Sequence, residues 1–139
     1  MSDSGPTSAQ RLTLAGLADI LVAEGLGMPA ASAVGVADRL LDRCLDAAPA
    51  LAGPLMALLD EAPADGLAAF ARRLAASRPD DFAVLSTTVV GAYYLSADVR
   101  ELIGYPGQQP SPMSVAAEPE YVEMLERVYD RHPGYRECP

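Results

Sequence analysis

The sequence predicts an all-α fold, a compact single domain of six to seven short helices with an irregular C-terminal tail. Apolar residues recur at spacings of three and four along most of the chain, as helices with one buried face require. Gly and Pro separate these segments, and 50% of the 139 residues are hydrophobic, enough for one core. We predict a flexible N-terminus over 1–11, a helical domain over 12–131 and a tail over 132–139.

The first four helices are predicted from the spacing of apolar residues, and Gly or Pro ends the first, third and fourth of them. Their predicted ranges are 13–24, 32–47, 49–61 and 67–78. Thr13 is the predicted cap of the first helix, because its hydroxyl can accept a bond from a free backbone amide. The second helix carries an acidic ladder on the side opposite its leucines, formed by Asp38, Asp42 and Asp46.

Three further helices are predicted over 80–95, 96–103 and 119–130. The first of them contains a β-branched run over 84–90 that could form a strand, but helical spacing and the lack of a partner strand favour a helix. Gly104 fits the left-handed position that follows a helix end, and residues 105–108 have the Pro and Gly positions of a type II turn.

Charge and hydropathy exclude several classes of function. The formal net charge is −9 at pH 7, and all 10 basic residues are Arg. Nucleic-acid binding needs a basic stripe, so we expect no nucleic-acid partner. The apolar runs are shorter than the ~20 residues of a membrane span, and the first residues lack the features of a signal peptide. We therefore expect a cytoplasmic protein with no direct membrane insertion.

Each candidate catalytic, cofactor or metal site has a simpler structural interpretation. Residues 25–30 match the letters of a dinucleotide-binding glycine motif, but a helix precedes them and a Pro interrupts them, which is typical of a helix-breaking loop. The acidic ladder lacks cation ligands from a second element. His132 lies in the tail without a nucleophile, and Cys44 is interpreted as a small buried hydrophobe. We expect no catalytic, cofactor-binding or metal-binding residue in this chain.

The C-terminal half resembles a known family. Residues 90–95 read VGAYYL and residues 99–108 read VRELIGYPGQ, an aromatic helix followed by a short helix and a Gly-Tyr-Pro-Gly turn. This pattern resembles the gluconate 2-dehydrogenase subunit 3 family, the small subunits of flavin-dependent sugar and alcohol dehydrogenases of the glucose-methanol-choline (GMC) type. The N-terminal half is similar to that family over residues 17–22 and 29–36.

The resemblance implies an all-helical, non-catalytic subunit that binds and stabilises a large flavoprotein oxidoreductase. FAD and the catalytic base would belong to that partner. Members of the family commonly carry a twin-arginine export signal, which this sequence lacks, so the expectation is a cytoplasmic complex. The residues that we predict to contact the partner or shape the interface are Tyr93, Tyr94, Tyr105, Pro106, Gly107, Tyr135 and Arg136.

Two other functions remain open from the sequence. Tyr93, Tyr94, Thr87 and Thr88 could line a pocket in a stand-alone helical enzyme or ligand-binding protein. Alternatively, the apolar helix faces could pair with copies of themselves in a homo-oligomeric structural module. A deep enclosed cavity with converging polar groups would favour the first alternative, and an exposed apolar surface favours a protein partner.

Overall fold

The computed structural model describes residues 5–110 and 118–131 of the chain. These residues form seven α-helices and two 3₁₀ turns, with no β-structure beyond one isolated bridge, so the predicted all-α fold is confirmed. The helices, in chain order, are α1 Ser8–Leu21, α2 Arg39–Ala47, α3 Ala52–Glu61, α4 Leu67–Ser77, α5 Pro79–Tyr94, α6 Ala97–Leu102 and α7 Glu118–Arg131.

The chain divides into two compact units, Met1–Gly107 and Gln108–Pro139. The first unit contains α1 to α6. The second contains α7, an amphipathic helix with exposed apolar side chains at helical spacing: Tyr121, Met124, Leu125, Val128 and Tyr129. The boundary between the units falls inside the range 12–131, over which the sequence predicts one domain. The predicted tail over 132–139 lies outside the described residues.

Helix α1 begins earlier than the sequence analysis expected. Its cap is Thr7 rather than Thr13, and residues 8–11, predicted to be flexible, are helical. Thr7 Oγ1 accepts a hydrogen bond from the Gln10 amide at 3.2 Å, and Gln10 Oε1 accepts one from the Thr7 amide at 2.8 Å. This reciprocal capping box satisfies two amides that the first turn leaves free, and it therefore fixes the helix start.

The predicted helix over 32–47 is interrupted in the structure. Ser32–Val34 forms a 3₁₀ turn, and Gly35 then adopts a left-handed conformation with a φ of 74°. That conformation ends the turn, since only Gly adopts it without steric cost. α2 therefore begins at Arg39, and the prediction of one continuous helix was wrong in its first half.

Side-chain hydrogen bonds attach residues 32–42 to α1. Arg11 donates to the carbonyl of Ala37 at 2.8 Å and to the Asp42 carboxylate at 2.6 Å. The Asp19 carboxylate accepts from the Ser32 amide at 2.7 Å and from its hydroxyl at 2.6 Å. One member of the acidic ladder is thus an ion-pair partner of α1, and the segment before α2 is held at two points.

Helix α5 lies at the centre of the first unit, in contact with α1, α2, α3, α4 and α6. Its buried face consists of Leu85, Thr88, Val89, Ala92 and Tyr93. Thr88 is tolerated there because its hydroxyl donates to the Val84 carbonyl at 2.8 Å. The β-branched run is therefore helical, as predicted, because burial against five helices outweighs its modest strand preference.

Helices α5 and α2 approach closely at Gly91. A Cβ atom at this position would lie 3.2 Å from Cys44 Sγ, which is tighter than an ordinary van der Waals contact. Cys44 is buried, which confirms its prediction as a small core residue, and its thiol faces the Thr88 carbonyl at 3.7 Å. Burial raises the pKa of this thiol, which keeps it protonated at neutral pH.

Truncation of the α5 core face is expected to destabilise the first unit strongly. Leu85 is completely buried, so Leu85→Ala should lower the free energy of unfolding by about 2–5 kcal/mol through lost burial and the cavity left behind. Thr87→Ala, on the exposed side of the same helix, should change it by less than about 0.5 kcal/mol. Urea unfolding followed by circular dichroism measures both, and equal effects would contradict the assignment of the buried face.

Candidate partner-binding surface

Exposed apolar side chains lie on α6 and on the turn at residues 25–28, which follows α1. Leu102, the last residue of α6, lines a shallow hollow together with residues 24–29 of that turn. Ile103 and Tyr105 follow it along the chain, and all three side chains are about half exposed, whereas Leu26 is completely exposed. We name Leu26, Leu102, Ile103 and Tyr105 the hairpin–α6 surface. Apolar surface of this kind commonly marks a site of protein association.

Both ends of α6 are fixed by local hydrogen bonds. At its start, Ser96 Oγ accepts from the Val99 amide at 3.5 Å, as the sequence predicts for a capping serine. At its end, the Gly104 amide donates to the Glu101 carbonyl at 2.9 Å and the Tyr105 amide to the Arg100 carbonyl at 2.8 Å. These two bonds form a Schellman motif, with Gly104 in the predicted left-handed conformation. The motif thereby fixes where the Tyr105 backbone leaves the helix.

The turn after α1 is a two-residue β-hairpin turn. Gly25 and Met28 exchange two backbone hydrogen bonds, of 3.1 and 2.9 Å, and Leu26 and Gly27 occupy the two central positions. Both central residues have positive φ, 53° for Leu26 and 80° for Gly27. Positive φ at both positions defines a type I′ turn, for which Asn-Gly is the preferred pair. The glycine-motif letters in this segment therefore encode a turn.

Leu26 is an unusual residue for this position. A left-handed conformation costs an L-residue with a Cβ roughly 1–2 kcal/mol, and Asn, Asp or Gly usually occupies such sites. The Leu26 side chain is completely exposed, so burial within this chain does not offset that cost. The turn thus carries backbone strain and an exposed apolar side chain at the same residue. Strain of this kind is found most often at functional positions.

Tyr93 connects the core to this turn. Its ring is buried in the α5 face and packs edge-on against the Tyr94 ring at 5.6 Å, while its hydroxyl donates to the Pro29 carbonyl at 2.7 Å. The Ala31 amide donates to the Val22 carbonyl at 3.0 Å and closes the base of the same segment. Leu26 is therefore carried by a segment that is anchored at its base and along one side.

The predicted interface residues fall into three groups. Tyr94, Tyr105 and Pro106 are exposed at the end of α5 and after α6. Tyr93 and Gly107 are structural in this unit: Tyr93 belongs to the core and supports the turn, and Gly107 has a φ of 91°, which suits the third position of the predicted type II turn. The third group, Tyr135 and Arg136, lies outside the described residues.

Three members of the hairpin–α6 surface were not among the residues predicted from the sequence: Leu26, Leu102 and Ile103. The available signal was a leucine between two glycines directly after a helix, since Gly on both sides indicates a tight turn that exposes its central residue. Leu102 and Ile103 could have been recognised from the short length of α6, because a single turn and a half buries little more than one side chain, here Val99.

The tyrosine-lined pocket considered as an alternative gains no support from the described residues. The Tyr93 hydroxyl donates to Pro29, and the Thr88 hydroxyl donates to Val84 in the same helix. Thr87 and Tyr94 point to the exposed side of α5. Among the described residues, no buried side-chain nitrogen or oxygen lacks a hydrogen-bond partner. The hydroxyls of Tyr93 and Thr88 are thus already hydrogen-bonded within the chain.

Comparison of the chain with protein-family models, with curated proteins and with solved structures found no match. Across the residues that the structure describes, no helix has both the length and the apolar character that crossing a bilayer requires.

Removal of the Tyr93 hydroxyl should loosen the turn without unfolding the protein. Tyr93→Phe deletes the bond to the Pro29 carbonyl, which should lower the free energy of unfolding by about 1 kcal/mol. Amide hydrogen exchange at Gly25 and Met28 should accelerate, because their segment loses its attachment to α5. Tyr94→Phe, which alters an exposed ring, should leave both measurements unchanged. Unaltered exchange in Tyr93→Phe would show that the hydroxyl does not anchor the turn.

Stability should also fall at alkaline pH through Tyr93. Burial raises the pKa of this phenol, and the neighbouring Tyr94 raises it further. The unfolded chain ionises at the ordinary tyrosine pKa of about 10, so above this pH it loses protons that the folded state retains. The contribution of the Tyr93 phenol to stability is fully present below pH ~10, and it is lost as the pH rises through the pKa of this phenol in the folded protein. Urea midpoints of wild type and Tyr93→Phe should therefore differ by a constant amount below pH ~10 and converge as the pH rises above it, and parallel curves would contradict the raised pKa.

Proposed function

We propose that this chain is a non-catalytic small subunit that binds and stabilises a larger flavin-dependent dehydrogenase of the GMC type. The observation that carries the proposal is the hairpin–α6 surface. Leu26 and Leu102 are exposed beside a shallow hollow, and Ile103 and Tyr105 follow Leu102 along the chain with about half of their surface exposed, on elements that local hydrogen bonds hold in place. A rigid apolar surface is suited to protein association, because few side chains have to be ordered when the complex forms.

The location of the family resemblance supports the same interpretation. The two C-terminal stretches that resemble the gluconate 2-dehydrogenase subunit 3 family, residues 90–95 and 99–108, cover the end of α5, most of α6 and the turn that follows it. These elements expose Tyr94, Leu102 and Tyr105. The core explains other parts of the pattern, since Gly91 allows the close approach of α2 and Tyr93 packs within the unit. Tyr94, Leu102 and Tyr105, by contrast, are exposed and are not explained by the core.

In the proposed complex the two chains have separate tasks. The partner would hold FAD and the catalytic base and would oxidise a sugar or alcohol, while this chain would cover an apolar region of the partner and stabilise its fold by mass action. Leu102, Ile103 and Tyr105 would lie in the interface, with tyrosine placing its ring against apolar groups and its hydroxyl at the polar rim. The excess of acidic residues would favour a partner surface with basic groups. The complex would be cytoplasmic.

Affinity purification from the native host tests this proposal. A tagged chain should recover a large polypeptide that releases FAD on denaturation and that oxidises a sugar or alcohol with a dye as electron acceptor. Leu102→Ser combined with Tyr105→Ala should weaken the complex at least roughly tenfold, because both side chains would leave the interface. Leu12→Gln removes an exposed leucine from the start of α1 and serves as the matched control.

Several outcomes would contradict the proposed function. The chain could elute alone on a sizing column, or the recovered polypeptide could lack flavin. The purified chain could also turn over a substrate by itself or hold flavin in stoichiometric amount. A homodimer detected by light scattering, and broken by the Leu102 and Tyr105 substitutions, would instead support the homo-oligomeric module.

A further inference from the structure

We infer that Leu26 is the anchor with which this chain docks on its partner, by inserting into an apolar pocket that has a basic group at its rim. The inference rests on the proposed function and adds to it the residue and the chemistry of the contact. It goes beyond the family resemblance, because residues 25–28 lie outside all four stretches that carry that resemblance.

Leucine is an unfavourable amino acid for position 26. The type I′ turn at residues 25–28 requires positive φ at both central positions, and Leu26 meets this requirement at a steric cost that Asn or Gly would avoid. The side chain contributes no buried area to the fold, since it is completely exposed. A leucine at this position therefore serves neither the turn nor the core, and its apolar side chain is useful only to a surface that covers it.

Hydrogen bonds hold the backbone that carries Leu26 in place. The two hydrogen bonds between Gly25 and Met28 fix the turn, and the bond from Tyr93 to Pro29 holds its following segment against the core. A side chain at the tip of such a turn projects from the surface with little freedom in its backbone. An anchor that is already in its bound position loses less conformational entropy on association, so more of its burial contributes to affinity.

The charge around Leu26 favours a different protein, rather than a second copy of this chain, as the partner that covers it. The hollow beside Leu26 is lined by apolar residues and by Glu24. In a two-fold symmetric dimer built on this turn, the hollow of each copy would carry Glu24 and no basic residue among the described residues that line it, so neither copy would offer the other a cationic group there. Two chains of net charge −9 also repel each other. A partner with an apolar pocket and an Arg or Lys beside it would bury the Leu26 side chain and form an ion pair with the Glu24 carboxylate.

The test uses the flavin-carrying polypeptide that the wild-type chain recovers, with affinity measured by biolayer interferometry. Leu26→Asn places the preferred Asn-Gly pair in the turn and removes the apolar side chain. It should raise the Kd at least roughly tenfold, the effect expected for an anchor residue, while the Tm of the free chain stays equal or rises. Leu26→Gly provides a second variant with the same expectation. Leu12→Gln, at an exposed position nine residues before the end of α1, should leave both values unchanged.

A photo-cross-linking amino acid introduced in place of Leu26 gives an independent readout. It should link to the flavoprotein, whereas the same group in place of Leu12 should not. Wild-type binding with an unaltered Kd for Leu26→Asn would overturn the anchor and leave the proposed function standing. Failure of the wild-type chain to recover a flavoprotein would overturn both. A lowered Tm for Leu26→Asn, or a homodimer that this variant abolishes, would also overturn the inference, since Leu26 would then serve the fold or a second copy.

Discussion

Burial of one face of α5 is the constraint on which the first unit depends. Leu85, Val89 and Ala92 have no exposed surface, and the helix that carries them contacts five others. Each neighbouring helix is amphipathic and short, and an isolated helix of such length is only marginally stable in water. The five helices therefore gain much of their stability from packing against α5. Gly91 and Thr88 adapt this face to its surroundings, the first by allowing α2 to approach and the second by bonding within its own helix.

The same helix connects the core to the surface that we propose to be functional. Tyr93 fills the core with its ring and holds the Pro29 carbonyl with its hydroxyl, so the turn that carries Leu26 is positioned by the packing of α5. At the C-terminal end of α5, Ser96 caps α6, which places Leu102 beside that turn. Damage to the core at α5 is thus transmitted to the surface, whereas substitutions at Leu26 act at the surface alone. This asymmetry allows binding and folding to be separated experimentally.

Much of the fold could be predicted from the sequence because apolar periodicity reports directly on burial. α4 and α5 were predicted within a residue or two, and Gly104 was correctly placed in the left-handed conformation. The errors arose where short-range hydrogen bonds and single dihedral angles decide the structure. The Thr7 capping box extended α1 towards the N-terminus, and the φ of Gly35 divided the second predicted helix. Neither feature changes the hydrophobic pattern, so periodicity could not detect them.

The candidate surface was only partly predictable for a related physical reason. Aromatic residues attract attention as interface formers, which favoured the tyrosines, yet Tyr93 proved to belong to the core. Whether a tyrosine in a helix is buried depends on which face the other helices cover, and this is a property of tertiary packing. Leu26 was overlooked because leucine in a sequence normally indicates a core, although the glycines on both sides of it indicate an exposed turn.

Exposed apolar side chains create a risk of self-association, and the charge of this chain opposes it. Leu26, Leu102, Ile103 and Tyr105 would attract any apolar surface, including that of another copy, by a force that has no direction. Charge repulsion between acidic chains acts over a Debye length of about 8 Å at physiological salt, far enough to discourage an approach before the apolar groups touch. A basic partner is attracted over the same distance. In the proposed complex the acidic composition would add discrimination between partners to a contact whose adhesion is apolar.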